Sequence, residues 1–115
     1  MIGWSEDERA RGEQLEAGKA VCVSMRRGVH PRLIRWSKVH GLFVRIDRQS
    51  KWGNPFVLGR DGDRETVIRR YALEYLPAQP ALLAAIGELR GKALGCWCAP
   101  EGCHGDTLID ADHAA

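Results

Sequence analysis

Three short apolar runs constrain this chain more than anything else in it: Ala20-Val21-Cys22-Val23-Ser24-Met25, Leu42-Phe43-Val44-Arg45-Ile46, and Lys92 to Cys98. Each has the length and the β-branched or aromatic content of a core strand. Helical patterns stand between them. Pro31 opens one that runs through Trp36 and ends at Gly41, and Asp63 caps another that reaches about Leu76. Ala81 to Arg90 carries Leu82, Leu83, Ile86 and Leu89 on one stripe, and Asp106 to Ala111 reads as a final helix. Strands separated by helices predict an α/β fold, a small single-domain layered sheet with flanking helices. At 115 residues the chain suffices for one core and is too short for two. Residues 1–19 read as an N-terminal helical extension, with Ser5 and Glu8 at capping-box spacing and an apolar stripe thin enough to lie on the surface. Residues 20–115 form the α/β domain.

Two loops of unusual chemistry follow strands. One is Gln49-Ser50-Lys51-Trp52-Gly53-Asn54-Pro55-Phe56, the other the segment from Cys96 to Asp106. In open α/β sheets ligands sit beyond the carboxyl ends of the strands, so the two loops are expected to form one site. In a strand Cys96 and Cys98 project on one face and Trp97 on the other, into packing. The Pro100-Glu101-Gly102 turn then returns Cys103 and His104 towards them.

That cluster has three readings. Cys96, Cys98, Cys103 and His104 are chemically sufficient for a tetrahedral zinc, although the spacing is not that of paired knuckles. Alternatively, Cys103 or His104 opens the last helix, whose dipole favours a thiolate and whose amides favour an anion. In the third reading the cysteines are small buried hydrophobes, the reading also preferred for Cys22. In the tryptophan loop, Asn54 offers donor and acceptors and Trp52 a flat face, suited to a planar base or a sugar. The bland counterpart is a rigid turn anchored by Trp52.

The net charge is only +2, but Arg26, Arg27, Arg32, Arg35, Lys38, Arg45, Arg48 and Lys51 face the single acid Asp47 within one stretch. Such a field meets phosphate or is simply a solvated face. No apolar run has the length of a membrane-spanning helix, and the acidic first residues lack the pattern of a signal peptide. The chain is therefore expected in the cytoplasm, away from membranes, with its thiols reduced. His30, His40 and His113 are expected at the surface.

Ser50 to Phe56, the strand and basic pair from Cys22 to Arg27, and Leu94 to Cys98 with Cys103-His104-Gly105-Asp106 resemble the small phage and bacterial proteins grouped as domain of unknown function 4326. The likeness covers roughly residues 20–112, with the N-terminal helix and Pro31 to Gly41 as additions to the family core. The strand followed by Cys-His and a helix is also similar to domain of unknown function 488, where an arginine follows the pair and Gly105 stands here. The resemblance implies a fold and a site location and names no reaction.

Taken together, the residues predict a small α/β enzyme acting on a nucleotide, nucleoside or nucleic-acid base. Cys103 and His104 supply the nucleophile or the acid–base group, or hold a zinc that activates water. Asn54 and Trp52 position the base, Asp106 orients His104 or the ligand, and Arg26, Arg27 and Lys51 meet phosphate. The alternative is a zinc-stabilised, non-enzymatic module that binds nucleic acid or a protein partner.

Overall fold

The computed structural model describes residues 2–114, and its three strands are parallel. In chain order the elements are α1 (Glu6–Glu16), β1 (Val21–Ser24), α2 (Pro31–Val39), β2 (Phe43–Arg45), α3 (Arg64–Arg70), α4 (Pro80–Ala85), β3 (Ala93–Cys96) and α5 (His104–Ala114). A π turn over Tyr71–Tyr75 and a 3-10 turn over Leu76–Ala78 prolong α3, and a 3-10 turn over Ile86–Leu89 prolongs α4. The sheet order is β1-β3-β2, with Val21 and Phe43 level with Ala93, and Ser24 level with Cys96. All four residues of the central strand are buried, as a parallel strand covered on both faces must be. The α/β reading of the sequence holds.

Alternation divides the core in two. Val21, Val23 and Ala93 pack with Leu15 and Leu33 under α1 and α2. Cys22, Leu94 and Cys96 face the other way, into a larger cluster with Trp52, Tyr71, Leu89 and Leu108 from the later helices and loops.

The first helix is more than a surface addition. Both arms of its Ser5–Glu8 capping box are formed. Glu8 is 3% exposed, and its second carboxylate oxygen accepts from the Arg32 and Leu33 amides, each at 2.8 Å. Those are two of the otherwise unpaired donors at the start of α2, whose N-cap His30 caps nothing with its side chain. Arg11 also donates to the Cys22 carbonyl at 2.6 Å, so α1 clamps β1 and α2 together. His30, expected at the surface, is 1% exposed. Its Nδ1 accepts the Ser24 amide at 2.8 Å, which leaves Nε2 to donate to Asp7 at 2.6 Å. His40 and His113 are exposed, as expected. Among the described residues no helix is long and apolar enough to cross a membrane.

One shift of boundary matters for the site. The last strand ends at Cys96 and not at Cys98. Cys98 therefore does not share a strand face with Cys96, and Trp97 is released from the sheet.

Candidate functional site

The chain leaves all three parallel strands at the same edge, and the loops that follow them, with α3, enclose a cleft of about 450 Å³. Arg26 follows β1, Asp47, Arg48, Asn54 and Phe56 follow β2, and Trp97, Cys98, Cys103 and His104 follow β3. Arg64, Val67 and Ile68 of α3 close the wall. The two unusual loops thus meet in one cavity. Of the residues singled out from sequence, Arg26, Asn54, Cys96, Cys98, Cys103 and His104 line it. Arg27, Lys51, Trp52 and Asp106 do not.

Trp52 is 2% exposed and belongs to the core. Its carbonyl accepts the Tyr71 hydroxyl at 2.9 Å, and Lys51 above its ring pairs with Glu88 at 3.2 Å. Trp52 is thus a core residue, and Lys51 lies outside the cleft in an exposed ion pair. Asn54 is similarly engaged: Nδ2 donates to the Val67 carbonyl at 3.0 Å and Oδ1 accepts the Phe56 amide at 2.9 Å. It pins the loop to α3 from the wall of the cleft. Arg48 completes that brace by donating to the Asn54 and Phe56 carbonyls at 3.1 and 3.2 Å.

Phe56 and Trp97 are the aromatic residues of the cleft, and Trp97 is 49% exposed. Its Nε1 donates to Asp47 at 3.0 Å, and Asp47 is gripped by Arg45 at 2.9 and 2.6 Å. Sequence reasoning turned this indole into packing. The clue lay in Asp47, the one acid in a basic stretch, which needed partners. Hydrogen bonds from Arg45, and then from Trp97, hold the Asp47 carboxyl down at about 2. A depressed carboxylate contributes stability above its unfolded value, 3.8, and loses it as pH falls towards 2. Acid titration should therefore lower the melting temperature across that window and change Trp97 fluorescence with it. An Asp47→Asn variant should show a smaller fluorescence change there, and an unaltered one would contradict the ion-paired geometry.

The floor of the cleft is sulfur. Cys103 is the residue before α5, and its Sγ accepts the Gly105 amide at 3.2 Å. The Asp106 carboxylate accepts the Cys103 amide at 3.2 Å, so the pair acts as a reciprocal helix cap. Asp106 also lies 3.8 Å from the Cys22 sulfur, and this capping role is what it performs in place of orienting His104. Cys103 Sγ stands 3.6 Å from Cys96 Sγ and 3.7 Å from Cys22 Sγ. Gly105 makes room for them: a Cβ there would come within 2.5 Å of Cys22 Sγ.

The Cys103 sulfur touches the other two, so a charge on one thiol bears on the others. Hydrogen bonds from Cys103 and Cys22 lower Cys96, whereas contact with Cys103 and Cys96, and then burial, raises Cys22. At Cys103 the hydrogen bond with Cys22 favours the charge, but Cys96 and burial outweigh it and the thiol is raised. A negative charge is thus favoured on Cys96 and disfavoured on Cys22 and Cys103. His104 is pushed below its ordinary value chiefly by burial, and its Nε2 donates to the Ile46 carbonyl at 2.7 Å. It is a neutral ring tying α5 to the end of β2. The sulfur cluster therefore comprises Cys22, Cys96 and Cys103, while Cys98 and His104 stand outside it. Among the described residues no three or more His, Cys, Asp or Glu side chains are arranged to hold a metal ion.

Charge in the cleft is positive. Arg26, Arg48 and Arg64 line it, while Asp47 is committed to Arg45 and Glu101 pairs with Arg64 at 2.9 Å. Fold and site together define a parallel α/β protein with an arginine-lined, thiol-floored cleft at its strand ends.

The chain belongs to the family described as Domain of unknown function (DUF4326), whose model matches residues 32–113. The match takes in nearly all of Pro31 to Gly41, which the sequence suggested was an addition, and leaves out β1 and the Arg26-Arg27 pair. Relatives include an uncharacterized 12.4 kDa protein of Enterobacteria phage T4, 36% identical over 69 residues, 56% of this chain and 62% of that protein. An uncharacterized protein of Acanthamoeba polyphaga mimivirus is 41% identical over 49 residues, 43% of this chain and 36% of that one. The chain spans less than two thirds of the length of either relative. No solved structure matches it.

Proposed function

We propose that this protein is a small α/β enzyme acting on a nucleotide, nucleoside or nucleic-acid base held in the cleft at the strand ends. The observation that carries the reading is that an exposed indole, Trp97, and three arginines line one cavity above buried thiols. A nucleotide has the two parts such a cavity suits, a flat ring and an anion. Arg26, which has no carboxylate partner among the described residues, and the remaining donors of Arg48 take the phosphate. The first turn of α5 adds its dipole to the same end of the cleft. Trp97 and Phe56 take the base. The Cys96 thiolate, to which Cys103 donates, is the nucleophile, and neutral His104 is the acid–base group on the cleft wall.

Titration of the protein with nucleoside monophosphates tests this. Binding should saturate and weaken as salt is raised. Trp97→Ala should weaken it roughly 5- to 150-fold, the loss of one stacking contact of about 1–3 kcal/mol. A parent protein that binds none of them, or a folded Trp97→Ala variant that binds equally well, would sink the reading.

A further inference from the structure

A second cavity of about 510 Å³ lies between α1, β1 and α5. Arg11, Lys19, Cys22, Asp106 and His113 are among the residues on its wall. Cys22 thus opens towards this cavity, Cys96 and Cys103 line the first, and the Cys103 sulfur touches both of the others. We propose that Cys96, Cys103 and Cys22 form a thiol–disulfide relay that carries oxidising equivalents from the cleft to the second cavity. The proposal stands whether or not the cleft ligand is a nucleotide.

The topology gives Cys103 the middle place. Cys22 lies level with Leu94, so Cys96 is two residues further along the neighbouring strand. Adjacent strands about 4.8 Å apart and two residues of about 3.3 Å rise put their Cα atoms about 8 Å apart. A disulfide needs less than about 7 Å, so Cys22 and Cys96 cannot bridge within the sheet. Cys103 approaches from the loop above and reaches either. Cys98, only partly buried and absent from these contacts, takes no part.

The chemistry balances with a hydroperoxide as oxidant and a small thiol as reductant. The Cys96 thiolate attacks the peroxide, giving a sulfenic acid and, after protonation, an alcohol or water. The Cys103 thiol condenses with it, forming the Cys96–Cys103 disulfide and releasing water. The Cys22 sulfur then attacks the Cys103 sulfur, and the Cys96 sulfur leaves, taking up the proton that Cys22 gives up. Two external thiols entering at the second cavity reduce the Cys22–Cys103 disulfide and depart as their own disulfide. In sum, one hydroperoxide and two thiols give one alcohol or water, one disulfide and one further water.

Treating the reduced full chain with hydrogen peroxide and mapping disulfides by mass spectrometry tests this. The parent should lose two hydrogens per chain and show bridges from Cys103 to Cys96 and to Cys22. Cys22→Ser should accumulate only Cys96–Cys103 and lose that bridge to added thiol roughly tenfold more slowly. Cys103→Ser should form no bridge within the chain. Serine is itself a good helix N-cap, so this variant keeps the start of α5, and a circular dichroism spectrum like the parent's confirms it. A Cys22–Cys96 bridge in Cys103→Ser would overturn the proposal. So would bridges made through Cys98, or thiols that all stay reduced in the treated parent.

Discussion

Replacing Trp52 by alanine should cost about 3–5 kcal/mol of folding stability, the range for emptying a buried aromatic site. The ring is 2% exposed within the cluster that includes Tyr71, Leu76 and Ile86, so no solvent contact exists to soften the loss. Against a typical total of about 5–15 kcal/mol, this is a large part of what holds the domain together. The packing around Tyr71, whose hydroxyl is held by the Trp52 carbonyl, would loosen with it. Trp97→Ala makes the contrast: its indole is half exposed and gives up one hydrogen bond, for about 1 kcal/mol. Denaturant unfolding of the two variants measures this directly. Equal losses from the two would mean that the assignment of one tryptophan to the core and the other to the cleft is wrong.

Gly53→Ala should cost on the order of 3 kcal/mol for a different reason. A Cβ at Gly53 would stand 2.6 Å from the Arg48 Cα and 2.8 Å from the Asp47 carbonyl oxygen. Both are backbone atoms, so no rotamer change relieves the collision and the loop after β2 must move. Asp47 and Arg48 would move with it, and so would the grip on Trp97. Thermal unfolding should show a melting temperature lower by about 10 °C, together with a disturbed Trp97 emission. Gly87→Ala is the control, since nothing lies within 4 Å of a Cβ there and its backbone is ordinary. A Gly53→Ala protein as stable as that control would mean the tryptophan loop is not folded tightly against itself.

The sheet was legible because its strands are short apolar runs separated by helical spacing, and the meeting of two loops at one edge followed from their being parallel. The exchange of roles between the tryptophans was not legible. Whether Trp97 packs or faces solvent depends on β3 ending at Cys96, and a difference of one or two residues in a strand decides a side chain's direction. The capture of Asn54 by Val67, thirteen positions away, likewise depends on where α3 docks. Cys22 is the buried core residue its strand pattern predicts, but its contact with Cys103 joins positions 81 apart, and no local pattern marks it. The loose reading of α1 came from its thin apolar stripe. What holds that helix is polar, the Glu8 and Arg11 side chains satisfying backbone groups of α2 and β1.

The arginine-lined cleft at the strand ends is the proposed nucleotide site. The most direct measurement is to follow the backbone amides and indole N–H groups by NMR through the nucleoside monophosphate titration. The largest shifts should fall on Trp97, Arg26, Arg48 and Cys98 to His104, with the buried Trp52 indole little changed. Shifts centred elsewhere on the molecule, or none at saturating nucleotide, would contradict it.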